Sequence, residues 1–288
     1  MQFLTTKELA TLLRIKERKV YELVAEGSVP CSRATGKLLF PKQEIEQWIA
    51  RHSVGFKSQD SSRPPVLLGS HDPLLDWAIR ESGSNLATFY DGSSDGLNRF
   101  FASEGVAAGL HLYDTETDSW NVEAVQKNLN TGSATLLEFV WRRRGLILTE
   151  TLATQVKELS DIVGHRIATR QPGAGAELLL LQLLEREGIS SEQLNIVYRA
   201  RTETEAATAV STREADICFG LESVAREFNL TFVPVIEERF DLLVDQHSWF
   251  DPPLQKLFSF FRSEAFVKKV DSMPGYELRN PEKVHLNL

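Results

Sequence analysis

Cysteine is almost missing from this 288-residue chain: Cys31 and Cys218 are the only two. So few thiols exclude a disulfide framework and a cysteine-based metal site. Cys218 lies in the apolar run Asp216-Ile217-Cys218-Phe219, so the pair reads as free thiols in a reducing compartment. No apolar run approaches the roughly 20 residues that cross a bilayer. The start, Met1-Gln2-Phe3-Leu4-Thr5-Thr6-Lys7-Glu8, has no basic segment leading into a long apolar stretch. A cytoplasmic protein with no membrane partner is expected. The glycine-rich turn Gly173-Ala174-Gly175 is not followed by Gly-Lys-Ser/Thr, which excludes a Walker-type nucleotide site. Neither a metal nor a cofactor is expected.

Charge is unevenly spread. Residues 1–53 hold nine Lys/Arg against six Glu, a balance of plus 3, while the whole chain is at −8, leaving −11 for the remainder. A basic head on an acidic body confines nucleic-acid contact to the head. With 42% hydrophobic residues the chain can bury one small and one large core.

In the head, Thr5 precedes Glu8 in capping-box spacing and should start a helix. Leu9, Leu12 and Leu13 form its apolar face, and Arg14-Ile15 makes a turn. Lys16 to Val24 restarts the helical period with Val20, Leu23 and Val24 inward, and Gly27 ends it. Ser32 to Phe40 predicts a β-hairpin wing around Gly36, and Pro41 opens a last helix with Ile45, Trp48 and Ile49. This order resembles the winged helix-turn-helix of the excisionase/MerR-like type. The resemblance implies double-stranded DNA as partner, with Lys16, Arg18 and Lys19 on the recognition helix and Arg33 and Lys37 on the wing. For each cation taken singly, a solvated surface role is the alternative.

Residues 54–65 are polar and Ser-rich and close on Pro64-Pro65, a connector between domain 1–53 and domain 66–288. Beyond it, short apolar runs alternate with helical patterns: Val66–Gly69 before a helix from Pro73, Leu86–Tyr90 before one from Gly96, then Gly109–Tyr113. Such alternation predicts an α/β domain with a largely parallel sheet, whose ligands bind where strands lead into helices. The loops at those ends are Ser70-His71-Asp72, Asp91 to Gly96 with Ser93 and Ser94, and Gln171 to Ala176 with Gly173, Ala174 and Gly175.

Several ordered segments carry a second resemblance: Ala107 to Asp114, Trp141-Arg142-Arg143-Arg144-Gly145-Leu146, Thr169 to Gly175, Ala215 to Gly220, Glu238 to Leu242, and Gly275-Tyr276. Over about 66–280 the chain resembles the periplasmic-binding-protein-like domain related to molybdate-binding proteins. That implies a two-lobed type II α/β fold, with lobe 1 about 66–148 and 237–288, and lobe 2 about 149–236. A small, anionic molecule would sit between the lobes and close them. The family's usual Arg-Gln-x-Gly-Ser-Gly-Thr-Arg is altered here, with Ala174 for the Ser and Ala176-Glu177 for Thr-Arg. A hydroxyl and a cation are lost. The ligand-facing residues implied are Ser70, His71, Asp72, Ser93, Ser94, Arg142, Arg170, Gly173, Ala174, Gly175, Glu203, Thr204 and Arg239.

Each has a plainer reading. Gly92-Ser93-Ser94-Asp95-Gly96 fits Gly-x-Ser-x-Gly, yet nothing distinguishes His165 or His247 as a partner, so ligand contacts are preferred to hydrolysis. Arg142-Arg143-Arg144 is read as structural ion pairs plus one inward, ligand-directed Arg, ahead of a second nucleic-acid patch. Asp72 caps the next helix, in preference to a metal or acid/base pair with His71. Glu203-Thr204 is a cap or a cleft edge. The Phe258-Ser259-Phe260-Phe261 stripe is core. Together these imply a non-enzymatic, ligand-responsive transcription regulator, homodimeric or larger, with ligands sought among molybdate, tungstate and molybdenum-cofactor-related compounds. The alternatives are a molybdenum-cofactor biosynthesis or delivery factor and an excisionase-like recombination accessory protein.

Overall fold

The computed structural model describes residues 3–32, 36–42, 44–45, 48–49, 63–128 and 133–288. The chain divides into two compact units, Met1–Ser62 and Arg63–Leu288. The wing cation Arg33 and residues 54–62 of the expected connector lie outside the described residues.

In the first unit β1 (Phe3–Thr5) runs into α1 (Thr6–Leu13), where the Thr5–Glu8 capping box is formed on both sides. Arg14 takes a left-handed conformation and α2 (Glu17–Ala25) follows. It ends in a Schellman arrangement: Gly27, at φ +67°, donates to Val24 O and Ser28 donates to Leu23 O. Leu9, Val20, Val24, Phe40 and Ile45 close the small core. Leu12, expected on the apolar face, is 50% exposed, since Leu9 and Ala10 supply that face. The wing closes through paired hydrogen bonds between Ser32 and Leu39. Pro41 ends β2 (Leu39–Pro41), which pairs with β1, and the expected last helix follows at once, with Lys42, Glu44, Ile45, Trp48 and Ile49 helical among the described residues.

The second unit is built on one 10-stranded sheet. On one side β3 (Val66–Gly69), β4 (Ala87–Tyr90) and β5 (Ala107–Leu110) are parallel, linked by α3 (Pro73–Glu81) and α4 (Ser93–Phe101). After short β6 (Tyr113–Asp114), β7 (Ser119–Trp120) and α5 (Val122–Lys127) comes β8 (Ala134–Leu148). On the other side lie β9 (Arg166–Arg170), β10 (Asn195–Ala200) and β11 (Ile217–Leu221), with α6 (Gly175–Arg186), α7 (Glu203–Ser211) and α8 (Glu222–Glu227). The partner of β8 is β12 (Thr231–Asp245); these two 15-residue strands run antiparallel through both halves. Late β12 lies between early β8 and β5, whereas late β8 lies between early β12 and β11. The two lobes therefore join inside continuous strands, near 142–145 and 234–238. The chain closes with α9 (Pro252–Phe261), α10 (Glu264–Asp271), β13 (Tyr276–Glu277) and β14 (Val284–Asn287), the last two pairing β8.

Glycine sets how closely α4 approaches β3. A Cβ on Gly96 would lie 2.1 Å from Gly69 Cα, so the Gly-x-Ser-x-Gly spacing here serves helix-strand packing. The helix also starts earlier than expected, taking Ser93 and Ser94 into its first turn. Phe258 is buried against Trp249 and Phe261, and Phe261 against Phe139 and Phe266, which makes these two rings of the aromatic stripe core.

Candidate functional site

On the helix-turn-helix unit, α2 presents Lys16 at its N-cap and Arg18 and Lys19 in its first turn, all exposed. Arg18 is 92% exposed at the side chain, yet both it and Lys19 reach back to Glu22, at 3.5 and 3.1 Å. Lys37 is exposed beside the wing. Tyr21, also on α2, is 53% exposed, which is unusual for so large a ring.

In the large unit, strand alternation sends Arg142 and Arg144 to one face of β8 and Arg143 to the other. Arg142 and Arg144 are buried, at 1% and 0% exposure. Glu238 lies opposite Arg142 in the antiparallel register. Arg142 Nη2 donates to Glu238 Oε1, and Arg142 Nη1 donates to Asp72 at 2.7 Å. Arg144 holds Glu238 through Nε at 2.8 Å and Nη2 at 3.1 Å, and holds Glu203 at 3.0 Å. Arg170, at the end of β9, donates to the same Glu203 oxygen at 3.1 Å. The chain of charges thus runs from the first lobe (Asp72) through the crossing strands to the second lobe (Glu203, Arg170).

Three further groups complete it. Asp72 caps α3 by accepting from Leu75 N–H at 2.8 Å, and its other oxygen accepts from the Tyr276 hydroxyl at 2.7 Å. His111, just past β5, meets Glu238 Oε2 at 3.1 Å through Nδ1; a carboxylate only accepts, so Nδ1 carries the proton. Ser70 and Ser93 share a hydrogen bond of 2.7 Å, and Ser93 Oγ also accepts from His111 N–H. Burial alone would raise the Glu238 and Glu203 carboxyls. The adjoining guanidiniums outweigh it, holding Glu203 below and Glu238 well below the ordinary value, so both are charged. Burial pushes His111 down more than Glu238 lifts it, so the ring is neutral near pH 7.

The lobes touch beside this network. Gln171 donates to Asp91 at 3.2 Å, and a groove of about 750 Å³ runs between Tyr90, Asp91 and Ser94 on one side and Gln171, Gly173 and Arg201 on the other. Gly173 N–H donates to Glu177 Oε2 at 3.0 Å, so the backbone amide of the glycine turn already has a carboxylate acceptor. Buried polar atoms with no hydrogen-bond partner among the described residues include Glu203 Oε2, Arg142 Nε, Arg170 Nε, Thr169 Oγ1 and the Tyr90 hydroxyl.

The structure thus gathers Ser70, Asp72, Ser93, Arg142, Arg170, Gly173, Ala174, Gly175 and Glu203 around one interlobe region. His71 is half-buried, stacked edge-on against Tyr90. Thr204 is exposed, with its carbonyl bonded to Thr208. Arg239, on the opposite face from Glu238, pairs with Asp241 and with Trp120 O at 2.7 Å and joins none of these residues. Arg144, Glu238, His111 and Tyr276 were not among the residues selected from sequence. The i, i+2 spacing of two arginines in a strand flags Arg144, but the carboxylate it bonds comes from 94 residues away. No His or Cys bonds Ser94 among the described residues, and no metal-holding cluster of His, Cys, Asp and Glu occurs among them.

Residues 77–262 match the family model described as a PBP superfamily domain, and residues 3–53 match one described as a helix-turn-helix domain. The Bacillus subtilis (strain 168) protein "Uncharacterized protein YvgK" is 26% identical over 306 aligned positions, covering 98% of this chain and 97% of its own. A Clostridium perfringens protein assigned as a phosphate ABC transporter substrate-binding protein, solved with bound phosphate, superposes with a TM-score of 0.53 at 12% identity, covering 74% of this chain and 99% of that one. The regulatory domain of MetR, a LysR family regulator from N. meningitidis, gives 0.50 at 12% identity, with 75% and 98% covered. At these identities the likeness is one of fold.

Proposed function

Because the chain belongs to the PBP superfamily and carries a helix-turn-helix domain at its N-terminus, we propose that it is a DNA-binding transcription regulator governed by a small molecule held between its lobes. The observation that carries this reading is the buried network Asp72–Arg142–Glu238–Arg144–Glu203–Arg170, which links both lobes through the crossing strands. A ligand that fits one lobe arrangement better than the other shifts the balance between them, and only that difference in affinity can act as a signal. The protein works as a cytoplasmic homo-oligomer in which lobe closure changes how the heads engage duplex DNA. Domains of these two types bind rather than transform, and no catalytic step is assigned.

The molybdate group expected from the sequence enters the test on family likeness alone; the cleft arginines already have carboxylate partners. The test has two arms. A thermal-shift screen of the full chain against oxyanions, sugars and amino acids identifies compounds that raise the melting temperature by mass action. Retention of promoter DNA is then measured with and without each hit. Arg18→Glu with Lys19→Glu should abolish retention while leaving ligand stabilisation intact. Retention that no compound alters refutes the sensor reading.

A further inference from the structure

We propose that the interlobe site takes a polar ligand without net negative charge, because the chain's own carboxylates already hold the positions an anion would take. The inference rests on the sensor reading above and names the ligand class for the same site.

Three carboxylates stand in the anion positions. Glu238 accepts from Arg142 and Arg144 and meets His111 Nδ1, four polar contacts on one buried group. Glu203 takes Arg144 and Arg170 together on Oε1. Glu177 takes Gly173 N–H, the turn amide an oxyanion would use, and pairs with Arg199 at 3.1 Å. The serine hydroxyls are used as well, Ser93 bonding Ser70 and the His111 amide. Arg142, Arg144 and Arg170 thereby balance Asp72, Glu203 and Glu238, with His111 neutral. A bare oxyanion would shed its water beside these carboxylates, where each buried guanidinium already has a carboxylate partner.

The unpartnered atoms give the second argument. Buried polar atoms are nearly always hydrogen-bonded, so a group of orphans in one place marks where a ligand supplies partners. Glu203, 3% exposed, leaves Oε2 as an acceptor without a donor, while Arg170 Nε and the Thr169 and Tyr90 hydroxyls lack partners. Thr169 and Arg170 directly precede Gln171 of the groove wall, Glu203 follows Thr202, and Tyr90 lines it. A fully ionised oxyanion only accepts, so it would set lone pairs against Glu203 Oε2. A ligand carrying hydroxyl, amide or ammonium donors as well as acceptors satisfies both kinds.

The test is isothermal titration of the full chain with molybdate, tungstate, sulfate and phosphate, comparing wild type with Glu203→Gln. That substitution removes the charge shared by Arg144 and Arg170 while keeping the shape. Wild type should show no saturable anion binding, and the variant should bind one of the four probes saturably, at least about tenfold more tightly than the weakest binding the titration detects. If circular dichroism shows Glu203→Gln unfolded, Glu177→Gln carries the same expectation, because Arg199 is half-exposed and tolerates losing its partner. Saturable wild-type binding as tight as the variant's overturns the proposal. An unchanged absence of binding in the folded variant overturns it too, since the carboxylate would then exclude nothing. The sensor reading fails separately, on DNA retention that no compound alters, and leaves this comparison intact.

Discussion

The imidazole of His111 fills the space that a side chain at position 175 would need: a Cβ on Gly175 would lie 2.6 Å from His111 Cε1 and 2.7 Å from Nε2. His111 leaves the end of β5 in one lobe and Gly175 begins α6 in the other. The closeness of the lobes therefore depends on a missing methyl. The ring cannot swing aside freely, because Nδ1 is tied to Glu238 and the face stacks on Phe240 at 5.8 Å.

Gly175→Ala should hold the lobes apart. Overpacking of this kind costs about 1–3 kcal/mol if the lobes stay closed, and little if they open. Small-angle scattering should show a larger radius of gyration than wild type, or denaturation a lower urea midpoint. A variant unchanged in both would mean that the two groups are not in contact in solution.

Asp72 caps a helix, pairs a buried arginine and accepts from a buried phenol, so its loss is felt three times. Asp72→Ala should cost about 3–5 kcal/mol, the range for stranding a buried charge. Tyr276→Phe, which removes one hydrogen bond, should cost nearer 1 kcal/mol. Arg143, half-exposed and paired with Glu222 at 2.9 Å, serves as the control: its replacement by Ala should change stability by less than about 1 kcal/mol. Equilibrium denaturation that ranks the three otherwise would remove the claim that the charge network supports the fold.

Acid should loosen the crossing strands through Glu238. Its carboxyl is held well below the ordinary 4.5 in the folded chain, because Arg142 and Arg144 outweigh the effect of burial. Below about 4.5 the unfolded chain binds the proton more readily than the folded one, so unfolding is favoured as the pH falls. The stabilisation is complete above 4.5 and is lost as the pH drops through the depressed folded value; Glu203 acts in the same direction. The urea midpoint of wild type should fall steeply below pH 4.5. Glu238→Gln should start lower at neutral pH and fall less steeply, and parallel slopes would contradict this account.

Glu22 holds both Arg18 and Lys19 on the surface of α2. Glu22→Gln releases two cations and removes a repulsive charge, so affinity for any duplex should rise severalfold, with a steeper dependence on salt. Electrophoretic mobility shifts at several salt concentrations measure this. An unchanged slope would place the phosphate-contacting surface elsewhere on the head.

Local chemistry made much of this molecule legible in the sequence. The Thr5–Glu8 box, the Gly27 terminator and the Asp72 cap each depend on residues a few positions apart, and each is formed. The acidic body behind a basic head and the alternation of strands and helices are likewise properties of short segments, and they are enough to name two domains. The charge network is different in kind. Arg142 meets Asp72 across 70 residues and Glu238 across 96, and the side each faces is set by the register of β8 on β12. A shift of one residue would turn Arg142 and Arg144 outward and Arg143 inward. The sequence by itself determined that serines and Arg170 would lie near strand ends and that Arg142 and Arg144 would share one face of a strand. Only the tertiary structure decided that carboxylates from distant segments would meet them there, because pairing between strands far apart in the chain leaves no local pattern to read.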